Sequence, residues 1–321
     1  MANFIHLTEA SSGAPRNSGT NADLCTLLDW ALVSGAVNAG WAINQTATNA
    51  RVYKPPAGNR FCLYVNHDSA VSGAAQLATV RGCESATAAS EAGIVNPFPT
   101  IAEVAATSAT WIISSAASTT TRNFDIFASD RFVYYITNVS GASNVYQVHM
   151  FGDFSPTLTG DVYNTLCSTR NASSTSASAD LMCNAGSIVG TTRLWVCRSY
   201  DGTVKSVSGS IFTSGGSSMG AVTACAAALA GATGLIDRVK CQIMDTGATT
   251  TTFSTTKGIA SRGWIPNLWL PVHSGFGTVN ARDTFTDTAY NGSATFEAFM
   301  NSGNSTFFAL ETTNTWSPPS G

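Results

Sequence analysis

From Arg51 onward, apolar residues recur at every second position instead of every third or fourth. Arg51-Val52-Tyr53-Lys54 runs into Pro55-Pro56-Ala57-Gly58, and Arg60-Phe61-Cys62-Leu63-Tyr64-Val65 follows. Period two places alternate side chains on opposite faces of a strand. The two prolines cannot donate to a ladder, so the segment reads as strand, turn, strand. The same signal predicts strands at 76–80, 110–113, 124–127, 132–137, 145–151, 193–198, 204–212, 239–244 and 251–254. Short strands at this density predict a mainly β fold of sandwich-type antiparallel sheets.

One stretch keeps a helical period. Leu24, Leu27, Leu28, Ala31 and Leu32 share a helix face, with Asn21 or Asp23 placed to cap its start and Gly35 to end it. The Ala-rich run Ala221 to Ala230 reads either as a second short helix or as a packed loop. The polar tract Ser11 to Thr20 reads as an extended arm, ordered only if something holds it. The expected organisation is an arm at 1–20, a helix plus β-rich domain at 21–155 and a second β-rich domain at 156–321, or one compact unit. A weak repeat aligns Asn59-Arg60-Phe61-Cys62-Leu63-Tyr64-Val65 with Asp130-Arg131-Phe132-Val133-Tyr134-Tyr135-Ile136. It reads either as chance similarity or as a duplicated hairpin whose copies share one core.

Charge removes several functions. Only 11% of the chain is Asp, Glu, Lys or Arg, and the net charge is −3. With no Lys/Arg cluster there is no electrostatic footprint for nucleic acid. No apolar run reaches membrane-spanning length, and no basic-then-apolar leader is visible at Met1-Ala2-Asn3-Phe4, so synthesis in a cytoplasm is expected. The eight cysteines form no C-x-x-C pair, and most sit among apolar neighbours, so free buried thiols are expected over a disulfide framework.

Chemistry is harder to find. Gly216-Ser217-Ser218-Met219-Gly220 fits a nucleophile elbow, with Asp237 or Asp245 and then His273 downstream. A chain with 28 glycines and abundant serine produces such a match by chance, and the alternating strand–helix pattern of those hydrolases is missing, so a Gly/Ser turn is the expected reading. His6, His67, His149 and His273 share no ligand spacing. Asp283, Asp287 and Asn291 form a loose oxygen set better explained as turn residues. Gly275-Phe276-Gly277 lacks the last glycine of a dinucleotide fingerprint, because Asn280 stands there. No pair stands out among the 19 acids, so no catalytic, cofactor-binding or metal-binding residue is assigned. Trp264-Ile265-Pro266-Asn267-Leu268-Trp269-Leu270-Pro271 is expected to run extended and irregular, over a core or at a subunit contact.

Other segments carry a resemblance. They include Leu27-Leu28-Asp29-Trp30-Ala31-Leu32-Val33-Ser34-Gly35, Ala57-Gly58-Asn59-Arg60-Phe61, Val80-Arg81-Gly82-Cys83-Glu84 and Asn96-Pro97-Phe98-Pro99-Thr100. Ser129-Asp130-Arg131-Phe132-Val133-Tyr134-Tyr135, Phe151-Gly152-Asp153-Phe154, Gly160-Asp161-Val162-Tyr163, Ile265 to His273 and Asp283-Thr284-Phe285 continue it. In this order and spacing the chain resembles a family of virion structural proteins of tailed bacteriophages. The resemblance implies a non-enzymatic particle component without cofactor, partnered by its own copies and by other virion proteins, and leaves its position open; the leading reading is the tail or baseplate. The alternatives are a capsid-decorating or connector protein, a receptor or host-glycan binder, and a tail-borne depolymerase or esterase. Scarce lysine fits the leading reading, because lysine is depleted at interface cores.

Overall fold

Strand β9 (Phe132–Asn138) explains how the core is laid out, because all seven of its residues are buried. Val133 and Tyr135 point into one apolar cluster, and Phe132, Tyr134 and Ile136 point into another. Period-two alternation with apolar residues on both faces makes a strand that can only sit between two layers. The computed structural model describes residues 4–141, 146–170, 192–198, 202, 207–212, 238–245, 260–271, 281–287, 294–300 and 307–312.

In chain order the elements before that strand are β1 (Ile5–Thr8), α1 (Asp23–Leu28), β2 (Ala42–Ala47), β3 (Ala50–Lys54), β4 (Cys62–Asn66), α2 (Ser69–Ser72), β5 (Leu77–Ala86), β6 (Ile94–Phe98), β7 (Thr110–Ile112) and β8 (Phe124–Ala128). After it come β10 (Tyr146–Asp153), β11 (Ser155–Pro156), β12 (Thr165–Arg170), β13 (Thr192–Val196), β14 (Val207–Phe212), β15 (Arg238–Asp245), β16 (Ala260–Pro271), β17 (Thr284–Asp287), β18 (Ala294–Met300) and β19 (Phe307–Glu311). The protein is mainly β, built from antiparallel sheets.

One ladder runs β1-β8-β9-β10-β12-β13-β14-β15-β16-β19-β18-β17. A branch leaves β12 through β7 and continues β5-β4-β3-β2, with β6 also on β5. Helix α1 covers the first cluster with Leu24, Leu27 and Leu28, against Trp41, Trp111 and Phe151. The second cluster joins Phe132, Tyr134 and Val148 to Ile265, Leu268 and Phe299, so residues from both halves of the chain share it. Each such side chain contributes about 1.5–3 kcal/mol on burial.

Several expectations need correction. The helical stretch does end at Gly35, but after Leu28 it widens into a π-helical turn over Asp29–Ser34. Its cap is neither Asn21 nor Asp23. Ala22 occupies the cap position, and the Leu24 N–H is taken by Nδ1 of His67, at 3.0 Å. Asn21 is drawn off to Ser69, and Asp23 accepts from Arg16 and Ser18. The tract 11–20 does not reach away from its own chain. Asn17 and Ser18 are fully buried, with Asn17 Nδ2 donating to Thr137 and Tyr135 Oη donating to Asn17.

The two repeat segments both open hairpins, β4–β5 and β9–β10, yet aligned positions enter different clusters. Leu63 lies in the first and its counterpart Tyr134 in the second. The Trp264–Pro271 segment is extended as expected, but within strand β16. Trp264 faces Gln242 and Trp269 faces Lys240, so one partner residue opposes four. Pro266 falls inside that bulge, where a missing N–H breaks no ladder bond. The Ala221–Ala230 run and the strand expected at 251–254 lie outside the described residues.

Candidate functional site

The fold brings three distant ionisable side chains together where β1 lies on β8. Ile5 and Leu7 turn into the first cluster, so period two sends His6 to the opposite face. His6 pairs with Phe127, and the two rings stack with centroids 4.0 Å apart. On β8 the same alternation buries Asp125 completely beside it, with Oδ1 3.1 Å from His6 Nε2. Glu297 arrives from β18 and places Oε2 3.5 Å from that same nitrogen. The three donor atoms lie within 4.8 Å of one another.

Arg282 closes the group from below. Its Nε donates to Asp125 Oδ2 at 2.8 Å, and its two terminal nitrogens donate to Glu9, each at 2.7 Å. Glu9 also accepts the Phe124 N–H. Burial opposes the charge on Arg282, but the bonds to Glu9 and Asp125 outweigh it and raise its pKa. Burial likewise works against the Glu9 carboxylate, and its bonds, chiefly that from Arg282, lower its pKa regardless. Among the described residues, Glu297 accepts no such hydrogen bond. Burial, reinforced by the negative charge of Asp125, pushes its carboxyl up to about 7.

A second buried acid has a structural setting. Asp153 accepts the Asn59 N–H at 2.6 Å and the Thr165 hydroxyl, tying the turn after β3 to strands β10 and β12. Burial pushes its carboxyl up to about 6 against those two bonds. The thiols of Cys25, Cys62, Cys83, Cys167 and Cys197 are free and buried. Burial raises Cys25 and Cys167 to about 12, which leaves them protonated and unreactive.

The other candidates read from the sequence do not converge. Ser218, Asp237 and His273 lie outside the described residues, as does the side chain of Asp245. His67 caps α1, and His149 stacks on Trp111, both inside the core. Asp283 immediately precedes β17 and Asp287 ends it, four positions apart along the chain, about 13 Å at the usual strand rise. Asn291 lies outside the described residues. The His6 group has no local sequence signal, because its members are brought together only by strand register.

The surface offers a different feature. Strand β2 pairs with β3 alone among the described residues, and five of its six residues are exposed. Its sequence, Ala-Ile-Asn-Gln-Thr-Ala, contains no charge and no proline. Proteins usually protect a free strand edge with charge, proline or a bulge. This strand has a single irregularity, between Ile43 and Gln45. The exposed large apolar residues, among the described ones, are aliphatic and include Val37, Ile43 and Val95. Trp41, Trp111 and Trp195 are buried, whereas Trp30, Trp264 and Trp269 are half-buried. No described helix is long and apolar enough to cross a membrane.

No protein-family model matches the chain, and no curated protein matches it.

Proposed function

We propose that this chain is a non-enzymatic structural component of a tailed-bacteriophage particle, built into the tail or baseplate through contacts with its own copies and with other virion proteins. The observation that carries the reading is strand β2: six uncharged residues, five of them exposed, paired with β3 alone among the described residues. Such an edge offers unpaired backbone donors and acceptors to a strand from a neighbouring subunit, and alternate side chains such as Ile43 supply apolar contact. Hydroxyl and amide groups pair across a boundary without the desolvation cost of charges, which suits a chain that is 11% charged. The resemblance of the sequence to virion proteins supplies the setting.

The test is mass spectrometry of purified virions together with a map of the particle. The reading expects this chain at fixed stoichiometry, with β2 against a neighbour. Its absence from intact virions overturns the reading.

A further inference from the structure

We propose that His6, Asp125 and Glu297 form a binding site for one divalent transition-metal ion of the zinc class, which fastens β1, β8 and β18 together.

Geometry carries the argument. Zinc bound by nitrogen and oxygen at about 2.0–2.2 Å in a tetrahedron separates neighbouring donor atoms by about 3.3–3.6 Å. His6 Nε2 stands 3.1 Å from Asp125 Oδ1 and 3.5 Å from Glu297 Oε2. The second spacing falls within such an edge, the first is slightly shorter than one, all three donor atoms lie within 4.8 Å of one another, and they come from three separate strands. One imidazole with two carboxylates suits zinc and its neighbours better than calcium or magnesium, which take oxygen shells.

The supporting residues match a ligand role. Asp125 turns Oδ1 toward His6 while Oδ2 accepts from Arg282 Nε, so the carboxylate is oriented by its second oxygen. Outer partners of that kind commonly fix metal-ligating carboxylates. Arg282 is not available to Glu297, because its remaining nitrogens hold Glu9 and the Phe124 carbonyl. The Glu297 side chain is 7% exposed and receives no hydrogen bond among the described residues; its ion-pair contact is His6. Glu297 is thus a nearly buried carboxylate aimed at an imidazole and a second carboxylate. Glu9, Asp125 and Glu297 together set three carboxyl groups around the one fixed positive charge of Arg282. The His6 side chain is 28% exposed, which leaves a route for the ion and a place for water in its shell.

The experiment is titration of the metal-stripped full-length protein with zinc chloride by calorimetry, repeated with magnesium and calcium chloride. The expected result is one zinc per chain, no saturating magnesium or calcium site, and a zinc-dependent rise in Tm. Glu297→Gln and His6→Ala should each weaken zinc at least tenfold and abolish the rise in Tm. Because the chain has eight cysteines, cobalt(II) is the second probe. A d–d spectrum of nitrogen and oxygen ligation, lost in Glu297→Gln, supports the site. A thiolate-to-cobalt charge-transfer band as the sole signal overturns it, as does zinc affinity unchanged in both variants or no zinc binding at all. If a variant fails to fold, X-ray absorption on the zinc-loaded native protein decides: a shell of nitrogen and oxygen supports the site, and a shell of sulfur overturns it.

Discussion

Arg262 grips Asp161 through two hydrogen bonds, at 2.9 and 3.2 Å, with both side chains 2% exposed. The pair joins the loop before β12 to strand β16, and Arg262 also donates to the Tyr163 carbonyl. Removing one partner leaves a buried charge uncompensated. Asp161→Ala should therefore cost about 3–5 kcal/mol in urea unfolding. The double variant Asp161→Leu with Arg262→Met should recover most of that loss. Equal destabilisation in single and double variants would show that the ion pair is not the source.

His67 sets one acid-side limit to stability. Nδ1 accepts the Leu24 N–H, and Nε2 lies 2.7 Å from the Ala75 carbonyl, so the ring is neutral with its proton on Nε2. Burial holds its pKa below the usual 6.5. Below pH 6.5 the unfolded chain takes up a proton that the folded ring refuses, so this group's contribution is complete above that pH and declines as pH falls. His67→Ala should cost about 1–3 kcal/mol at pH 7, from the unpaired Leu24 N–H, and should remove that part of the pH dependence. Denaturant midpoints across pH 5–8 check both.

Asp153 acts in the opposite direction. Its folded pKa, raised to about 6 from 3.8, means the folded state holds the proton longer than the unfolded one. Stability from this group is therefore present at low pH and declines as pH rises from 3.8 to about 6, by roughly 3 kcal/mol in all. Asp153→Asn should flatten that slope while leaving the His67 slope in place. A midpoint profile unchanged by the substitution would contradict the assignment.

Gly152 holds a φ of +139°, and a Cβ there would run into the Arg131 carbonyl and Phe132. The β9–β10 ladder pairs Gly152 directly with Phe132, so the neighbour cannot retreat. Gly152→Ala should destabilise by about 1–3 kcal/mol. Thermal unfolding measures it.

Strand β2 should tolerate charge as an isolated chain and fail with it in the particle. Ile43→Lys and Thr46→Lys alter exposed positions, so unfolding should shift by no more than about 0.5 kcal/mol. Incorporation into virions should fall sharply. Full incorporation of the doubly substituted protein would remove β2 as the contact.

The strands legible in the sequence are those whose apolar residues alternate without interruption, such as β3, β4, β9 and β10. Strand β12 is harder to read because hydroxyls fill its alternation: Ser168 accepts the Met150 N–H and Thr169 accepts from Trp195. Strand β6 contains Asn96-Pro97, which reads as a turn, and β1 is only four residues long. The His6 group is invisible in the sequence for a different reason. Its geometry depends on the register of β1 against β8 and on β18 crossing nearby, and 119 residues separate His6 from Asp125. Periodicity reports which face a residue occupies, not which distant strand lies beside it.

The bond from Arg282 to Glu9 spans 273 positions of the chain. A ribosome emits Glu9 and Asp125 long before it reaches Arg282, so during synthesis the two acids meet, or stay apart, with no guanidinium to reconcile them. Strands β1 and β8 thus acquire their shared counter-charge only once Arg282, 273 positions after Glu9, has been made. Contacts of such long sequence separation form slowly and late. The surroundings of β1 are therefore completed long after β1 itself has been made.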